Sequence, residues 1–116
     1  MPWIGLCLLM ASLSTATAPG SLKRGFSSPP NEARLRCFWW WLNGNVTEAA
    51  ITRDLEEMKE KGFGGVLLAD GGGAEQDGNS QVPAGPAFLS DPWRELFRHA
   101  LREADRLGLE VSLNIQ

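Results

Sequence analysis

The chain has 116 residues, of which 43% are hydrophobic and 22% charged, enough for at most one small domain of ordinary globular composition. A formal charge of -3 and a pI near 5.1 leave no electrostatic footprint for nucleic acid or an anionic membrane, so both are poor partners for it.

Residues 1–18 carry no charged side chain, hold the apolar stretch Trp3–Met10 and finish in Ala16-Thr17-Ala18. That is the pattern of a secretory signal peptide with an A-x-A cleavage site, too short to span a bilayer, and it predicts a secreted or periplasmic protein. The start lacks a Lys or Arg, and Pro19 would follow the cut, both departures from the usual pattern. If Cys7 leaves with this segment, Cys37 stands alone. It then reads as a small strand residue rather than half of a disulfide or a metal ligand. No later stretch is apolar enough to cross a membrane.

Residues 19–33 are rich in Gly, Ser and Pro and predict a flexible leader without chemistry, ahead of a folded unit over residues 34–116. The aromatic run Cys37-Phe38-Trp39-Trp40-Trp41-Leu42 then reads as a buried strand, delivering Asn43-Gly44-Asn45 to a turn. Asn45 and Glu48 have capping-box spacing, with Thr47 as the competing N-cap, and a helix is expected to about Lys61 with Gly62 closing it. Arg53 with Glu57 and Glu57 with Lys61 are expected partners on its wet side. Asn45-Val46-Thr47 is also a glycosylation sequon, a reading that competes with the cap.

Gly64–Asp70 is a short apolar run ending in an acid, as buried parallel strands often do. Gly71–Ser90 predicts a long loop; its Gly71-Gly72-Gly73 triplet lacks the spacing of a phosphate cradle. A second helix opens at Asp91-Pro92, with Asp91 as N-cap and Pro92 as first helical residue. Trp93, Leu96, Phe97, Ala100, Leu101, Ala104 and Leu107 form its apolar stripe and Gly108 its stop. His99, the only histidine, falls roughly 130° from that stripe at about 100° per residue and predicts a solvent-facing partner for Glu95. Leu109–Gln116 alternates apolar with polar and predicts a third strand.

Strand, helix, strand, helix, strand with no hairpin signal is an α/β fold, a βαβαβ unit with parallel strands. If Asn43, Asp70 and Asn114 share one face, then Trp39, Trp41, Val66, Leu68, Ser112 and Gln116 lie on it too. Phe38, Trp40, Leu42, Leu67, Ala69, Val111, Leu113 and Ile115 would then face the helices. The first face, mixed and increasingly polar toward the strand ends, matches the interior of a (β/α)8 TIM barrel, which needs about 250 residues. Three of eight strands predict a truncated barrel, marginally stable as an isolated species.

Several motifs together resemble one family. Trp39-Trp40-Trp41-Leu42-Asn43-Gly44-Asn45-Val46-Thr47, Ile51-Thr52-Arg53-Asp54-Leu55-Glu56-Glu57-Met58-Lys59 and Gly62-Phe63-Gly64-Gly65-Val66 are similar to the first βα unit and second strand of the glycoside hydrolase family 106 α-L-rhamnosidase catalytic barrel. Gly85–Ser90, Trp93–Ala100, Glu103–Glu110 and Leu113-Asn114 resemble its next segment. The resemblance implies an exported enzyme that removes terminal α-L-rhamnose from plant or microbial polysaccharide with inversion, helped by a calcium ion. Its two catalytic carboxyl groups belong to strands beyond this stretch, so no catalytic residue is carried over and the fragment alone is expected to be inactive.

The sugar-facing rim can be carried over. Trp41 offers an aromatic face, Asn43 and Asn114 offer amides, and Asp70 can accept from hydroxyls or join a cation site. Each has a plainer alternative: Trp41 as core, Asn43 as a left-handed turn residue with Gly44, and Asp70 as a strand end. Two other readings of the whole chain are a fragment of an aldolase-like barrel and a small non-catalytic α/β protein that binds a partner through its sheet. A strand-end Lys or a phosphate-binding loop would favour the first, and neither is present.

Overall fold

The computed structural model describes residues 19–72 and 82–115; the expected signal segment, Gly73 and Gln116 lie outside the described residues. Six main elements follow in order: helix α1 (Pro19–Ser27), strand β1 (Arg36–Leu42), helix α2 (Glu48–Glu60), strand β2 (Gly65–Gly71), helix α3 (Asp91–Leu107) and strand β3 (Glu110–Asn114). The three strands form one parallel sheet in the order β1-β2-β3, which is the βαβαβ unit expected from the element pattern.

The segment read as a flexible leader is structured: α1 is followed by a 3-10 turn over Asn31–Ala33. Leu22 and Phe26, four residues apart on α1, stay exposed, so no apolar burial against the sheet accounts for this helix. The stretch after it is tied to the sheet's lower end. Asn31 Nδ2 donates to the Gly108 carbonyl, and the Arg34 guanidinium donates to the Pro29 and Gly62 carbonyls.

At α2 the competing cap, Thr47, prevails over Asn45, and at α3 the cap lies one residue before the expected Asp91. Thr47 caps α2, its hydroxyl accepting from Ala50 N at 3.2 Å, while Asn45 lies outside the helix. Ser90 caps α3, accepting from Trp93 N, which leaves Asp91 as the first helical residue and Pro92 within the first turn. In each case the cap is the hydroxyl residue with extended backbone just before the first turn. The helix ends are as expected, with Gly62 and Gly108 in the left-handed region at φ 88° and 64°.

The faces of β1 and β2 are the reverse of those expected. Trp39, Trp41, Val66 and Leu68 are buried with Ile51 and Leu55 of α2 and with Trp93, Ala100 and Ala104 of α3. Phe38 and Trp40 instead look away from the helices and remain 61% and 57% exposed. On β3 the expectation holds, since Val111 and Leu113 pack against the helix-side core. The expectation rested on Asn43, Asp70 and Asn114 sharing a face, and they do not. Register sets Asp70 opposite Trp41 and Asn114 opposite Ala69, on opposite faces of the sheet. Asn43, at φ 54°, has already left the strand.

The core is aromatic at its centre. Trp39, Trp41 and Trp93 meet edge to face at 5.4 and 5.6 Å, and Trp93 stacks on Phe97. Such rings bury large areas and gain about 0.5–1.5 kcal/mol per well-oriented pair beyond that burial. Helices α2 and α3 are also joined by polar groups, Arg106 to Glu56 at 2.7 Å and His99 Nε2 with the Thr52 hydroxyl at 2.9 Å. His99 therefore turns toward α2, and Glu95 pairs with Arg98 rather than with it. Of the pairs expected on α2, Glu57 with Lys61 forms at 3.8 Å, whereas Arg53 turns to Asp54.

Candidate functional site

Ligands of parallel sheets bind beyond the C-terminal strand ends, where the chain must leave the ladder and expose polar groups. Here those ends carry Trp40, Trp41, Leu42 and Asn43 from β1, Asp70 and Gly71 from β2, and Asn114 from β3.

Asn43 and Gly44 both have left-handed backbone and form the turn after β1. Asn43 N donates to the Gly71 carbonyl, its carbonyl accepts from Gly85 N at 2.8 Å, and Nδ2 donates to the Val82 carbonyl at 3.1 Å. Gly44 and Gly85 pass backbone against backbone. A Cβ on Gly44 would run into the Pro86 carbonyl, and one on Gly85 would sit 2.5 Å from the Gly44 carbonyl carbon. Asn43 thus holds the chain that leads into α3, a bracing task that already uses its amide N–H.

Asp70 leaves β2 on the helix side. Its Oδ2 accepts from Trp93 Nε1 at 2.6 Å, which pins the first turn of α3 to the end of β2. Burial pushes the Asp70 carboxyl above the ordinary carboxylate range, and the Trp93 hydrogen bond opposes that rise. Trp41 has no exposed surface and so offers no ring face to a ligand, which overturns its expected place on the open side. Its indole differs from its neighbours in one respect. Trp39 Nε1 donates to Asp54 and Trp93 Nε1 to Asp70, whereas Trp41 Nε1 is buried without an acceptor among the described residues.

Asn114 stands on the open face as expected, in one cross-strand row with Ala69 and Trp40. Trp40 is the rim residue that sequence reasoning missed. Both alternating sets of β1 are equally aromatic, so only strand register could reveal which ring is free. The open face is layered along the strands. At its lower end Arg36 and Glu110 form an ion pair across Gly65; above it come Phe38, Leu67 and Ser112, then Trp40, Ala69 and Asn114. Phe38 and Trp40 stack at 5.7 Å with an 18° angle between their planes.

A calcium ion takes about six to eight oxygen ligands. Among the described residues no group of three His, Cys, Asp or Glu side chains converges on a cation position. Asp70, the carboxylate suggested for such a site, gives its Oδ2 to Trp93 and joins no such group among the described residues. The residues described do not fit a calcium site. The Cys37 thiol lies 3.8 Å from Met58 Sδ, and burial, which disfavours the thiolate, pushes its pKa up against a smaller lowering by a backbone hydrogen bond.

Comparison with known proteins bears on what these residues belong to. The α-L-rhamnosidase model of glycoside hydrolase family 106 matches residues 27–115. A protein named "Putative beta-glucuronidase" from Formosa agariphila is 42% identical over 94 residues, which cover 80% of this chain and 8% of that protein. The solved structure of the rhamnosidase from Novosphingobium sp. PP1Y superposes with a TM-score of 0.68 at 39% identity, again over 80% of this chain and 8% of the other. The chain therefore spans less than a tenth of the length of either relative.

Proposed function

This chain belongs to the α-L-rhamnosidase family of glycoside hydrolases, and on that premise we propose that residues 34–116 supply the first three staves of a (β/α)8 catalytic barrel. The enzyme would be exported through residues 1–18 and would remove terminal α-L-rhamnose from plant or microbial polysaccharide with inversion.

The observation that carries the barrel reading is the open sheet face. Helices cover one side of all three strands, and among the described residues nothing covers the other, where Phe38 and Trp40 are more than half exposed. A parallel sheet is normally covered on both faces, and barrel closure would bury these rings in the interior layers of side chains.

Inversion requires one carboxyl group to protonate the leaving oxygen and another to activate water, held about 6.5–9.5 Å apart on either side of the sugar. The described carboxylates make no such pair at the strand ends. Asp70 faces the helices and holds Trp93, and Glu110, on the open face, lies at the opposite end of the strands and pairs with Arg36. The role proposed for this stretch is accordingly to frame the site and contact the sugar. The acid and base come from other staves, and the 116-residue chain alone is inactive.

A chimera tests this reading: residues 27–115 replace the matching segment of the Novosphingobium rhamnosidase. The expected chimera hydrolyses p-nitrophenyl α-L-rhamnoside and releases β-L-rhamnose first, as judged by anomeric proton NMR, while the chain alone shows no hydrolysis. A folded chimera without rhamnosidase activity would sink the proposal. So would one that cleaves only the β-D-glucuronide, the substrate suggested by the name of the Formosa relative.

A further inference from the structure

The connection from β1 to α2 carries the one Asn-x-Ser/Thr sequence in the chain, Asn45-Val46-Thr47, and its middle residue is not proline. The structure sorts the three side chains by direction. Val46 packs inward against the core, and the residues on either side of it, Asn45 and Thr47, are exposed. Thr47 has extended backbone at φ -126° and ψ 158°, with its hydroxyl accepting from Ala50 N. Asn45 is fixed through its main chain. Its N–H donates to the Leu42 carbonyl at 3.0 Å, while its side-chain amide takes no partner among the described residues. The position also lies clear of the surface that a closing barrel would cover. Asn45 stands between Leu42, the end of β1, and Glu48, the start of α2, rather than on the open sheet face.

We propose that Asn45 is an N-glycan acceptor when the chain is exported through a compartment that holds an asparagine-linked oligosaccharide transferase. The transfer joins Asn45 Nδ2 to the anomeric carbon of an oligosaccharide carried on a lipid diphosphate. The bond from that carbon to the diphosphate oxygen breaks, and the lipid diphosphate leaves with the proton lost from Nδ2. A glycan is bulky and solubilising, so its asparagine must reach solvent without giving up a bond that the fold needs. Asn45 meets both conditions. Cap and acceptor are successive uses of one tripeptide: the transferase recognises the Thr47 hydroxyl while the chain is unfolded, and the same hydroxyl caps α2 afterwards. This inference rests on the export reading of residues 1–18, and its test keeps the two apart.

The full 116-residue chain is expressed in yeast with its own N-terminal segment, and the secreted protein is weighed by intact mass spectrometry before and after peptide N-glycosidase. Expected is a glycan that the enzyme removes and that peptide mapping places on Asn45. Asn45→Gln and Thr47→Asp should lose it, and Thr47→Ser should keep it. Thr47→Asp retains a good cap, so its thermal melt should match that of Asn45→Gln. Thr47→Ala, which loses cap and glycan together, should melt about 4–8 °C lower. The melts therefore separate a lost acceptor from a lost helix start. Secreted chain without a glycan would overturn the proposal, as would a glycan that persists in Asn45→Gln. So would a glycosylated chain that melts as low as Thr47→Ala, because the glycan would then have displaced the cap. Chain retained in the cytosol would overturn the export reading instead. With the host's own signal sequence replacing residues 1–18, a glycan at Asn45 would then support the acceptor, and its absence would overturn it.

Discussion

Gly85→Ala probes the brace between the β1 turn and the chain entering α3. A methyl group at residue 85 would lie 2.5 Å from the Gly44 carbonyl carbon and 2.9 Å from Asn45 N. These are backbone atoms and cannot swing aside, so the segment that carries Gly85 must lift off. Lifting it breaks the Gly85 N–H bond to the Asn43 carbonyl and strains the Asn43 Nδ2 bond to Val82. Two hydrogen bonds at a net value near 1 kcal/mol each, with part of the roughly 1–3 kcal/mol of overpacking left unrelieved, give a loss of about 2–4 kcal/mol. For a domain of this size each kcal/mol lowers the melting temperature by about 4–8 °C. Circular dichroism melts of the full chain would therefore show a drop of about 10 °C or more, or no cooperative transition at all. Gly72→Ala is the control, because a Cβ there meets nothing within 4 Å. A Gly85→Ala variant that melts with the Gly72→Ala variant would refute the close backbone approach.

Asp70→Asn keeps an acceptor for Trp93 and removes the ionisation. Because burial raises the Asp70 pKa, the folded chain holds that proton to higher pH than the unfolded chain does. The resulting stability is full below the ordinary value of 3.8 and is lost as pH rises through the raised value. The melting temperature of Asp70→Asn relative to the parent should therefore rise with pH across that window, and a constant difference would sink the assignment. Two tryptophan substitutions should separate a partnered indole from an orphan one. Trp41→Phe loses area but also removes a buried donor with no acceptor, a relief of about 1–3 kcal/mol. Trp93→Phe takes from Asp70 a bond worth about 1.5–3 kcal/mol. Urea unfolding should place Trp93→Phe below Trp41→Phe by at least about 1 kcal/mol; the reverse order would contradict this pairing.

The element order, the two later helices with their closing glycines and the parallel topology were all legible from one-dimensional pattern. The helices rest on interactions between residues near in sequence, such as the apolar stripe from Trp93 to Leu107 or Gly108 in a left-handed cap, and the parallel topology follows from the alternation of strands with helices. The caps themselves slipped by one or two positions because several side chains near each start can accept the same amide, and the backbone before the first turn chooses among them. The first helix escaped notice for a related reason: Gly- and Pro-rich composition argues for a loop, and Leu22 and Phe26 give it no buried stripe to detect.

The candidate site was legible only in outline. Trp41, Asn43, Asp70 and Asn114 were singled out because they stand at strand ends, and all four do. Their tasks depend on which side of the sheet each occupies and on what else is nearby. Asp70 meets Trp93 across 23 residues and Asn43 meets Val82 across 39, separations at which no periodicity carries information.

By itself the sequence determined that a parallel α/β unit forms, that it belongs with the α-L-rhamnosidases and that its strand ends carry the polar groups. The tertiary structure decided which tryptophans are core and which is free. A strand written Phe-Trp-Trp-Trp has two apolar faces of nearly equal hydrophobicity, so the choice falls to packing. Trp39 and Trp41 fit between α2, α3 and one another, and Trp40 is left facing outward.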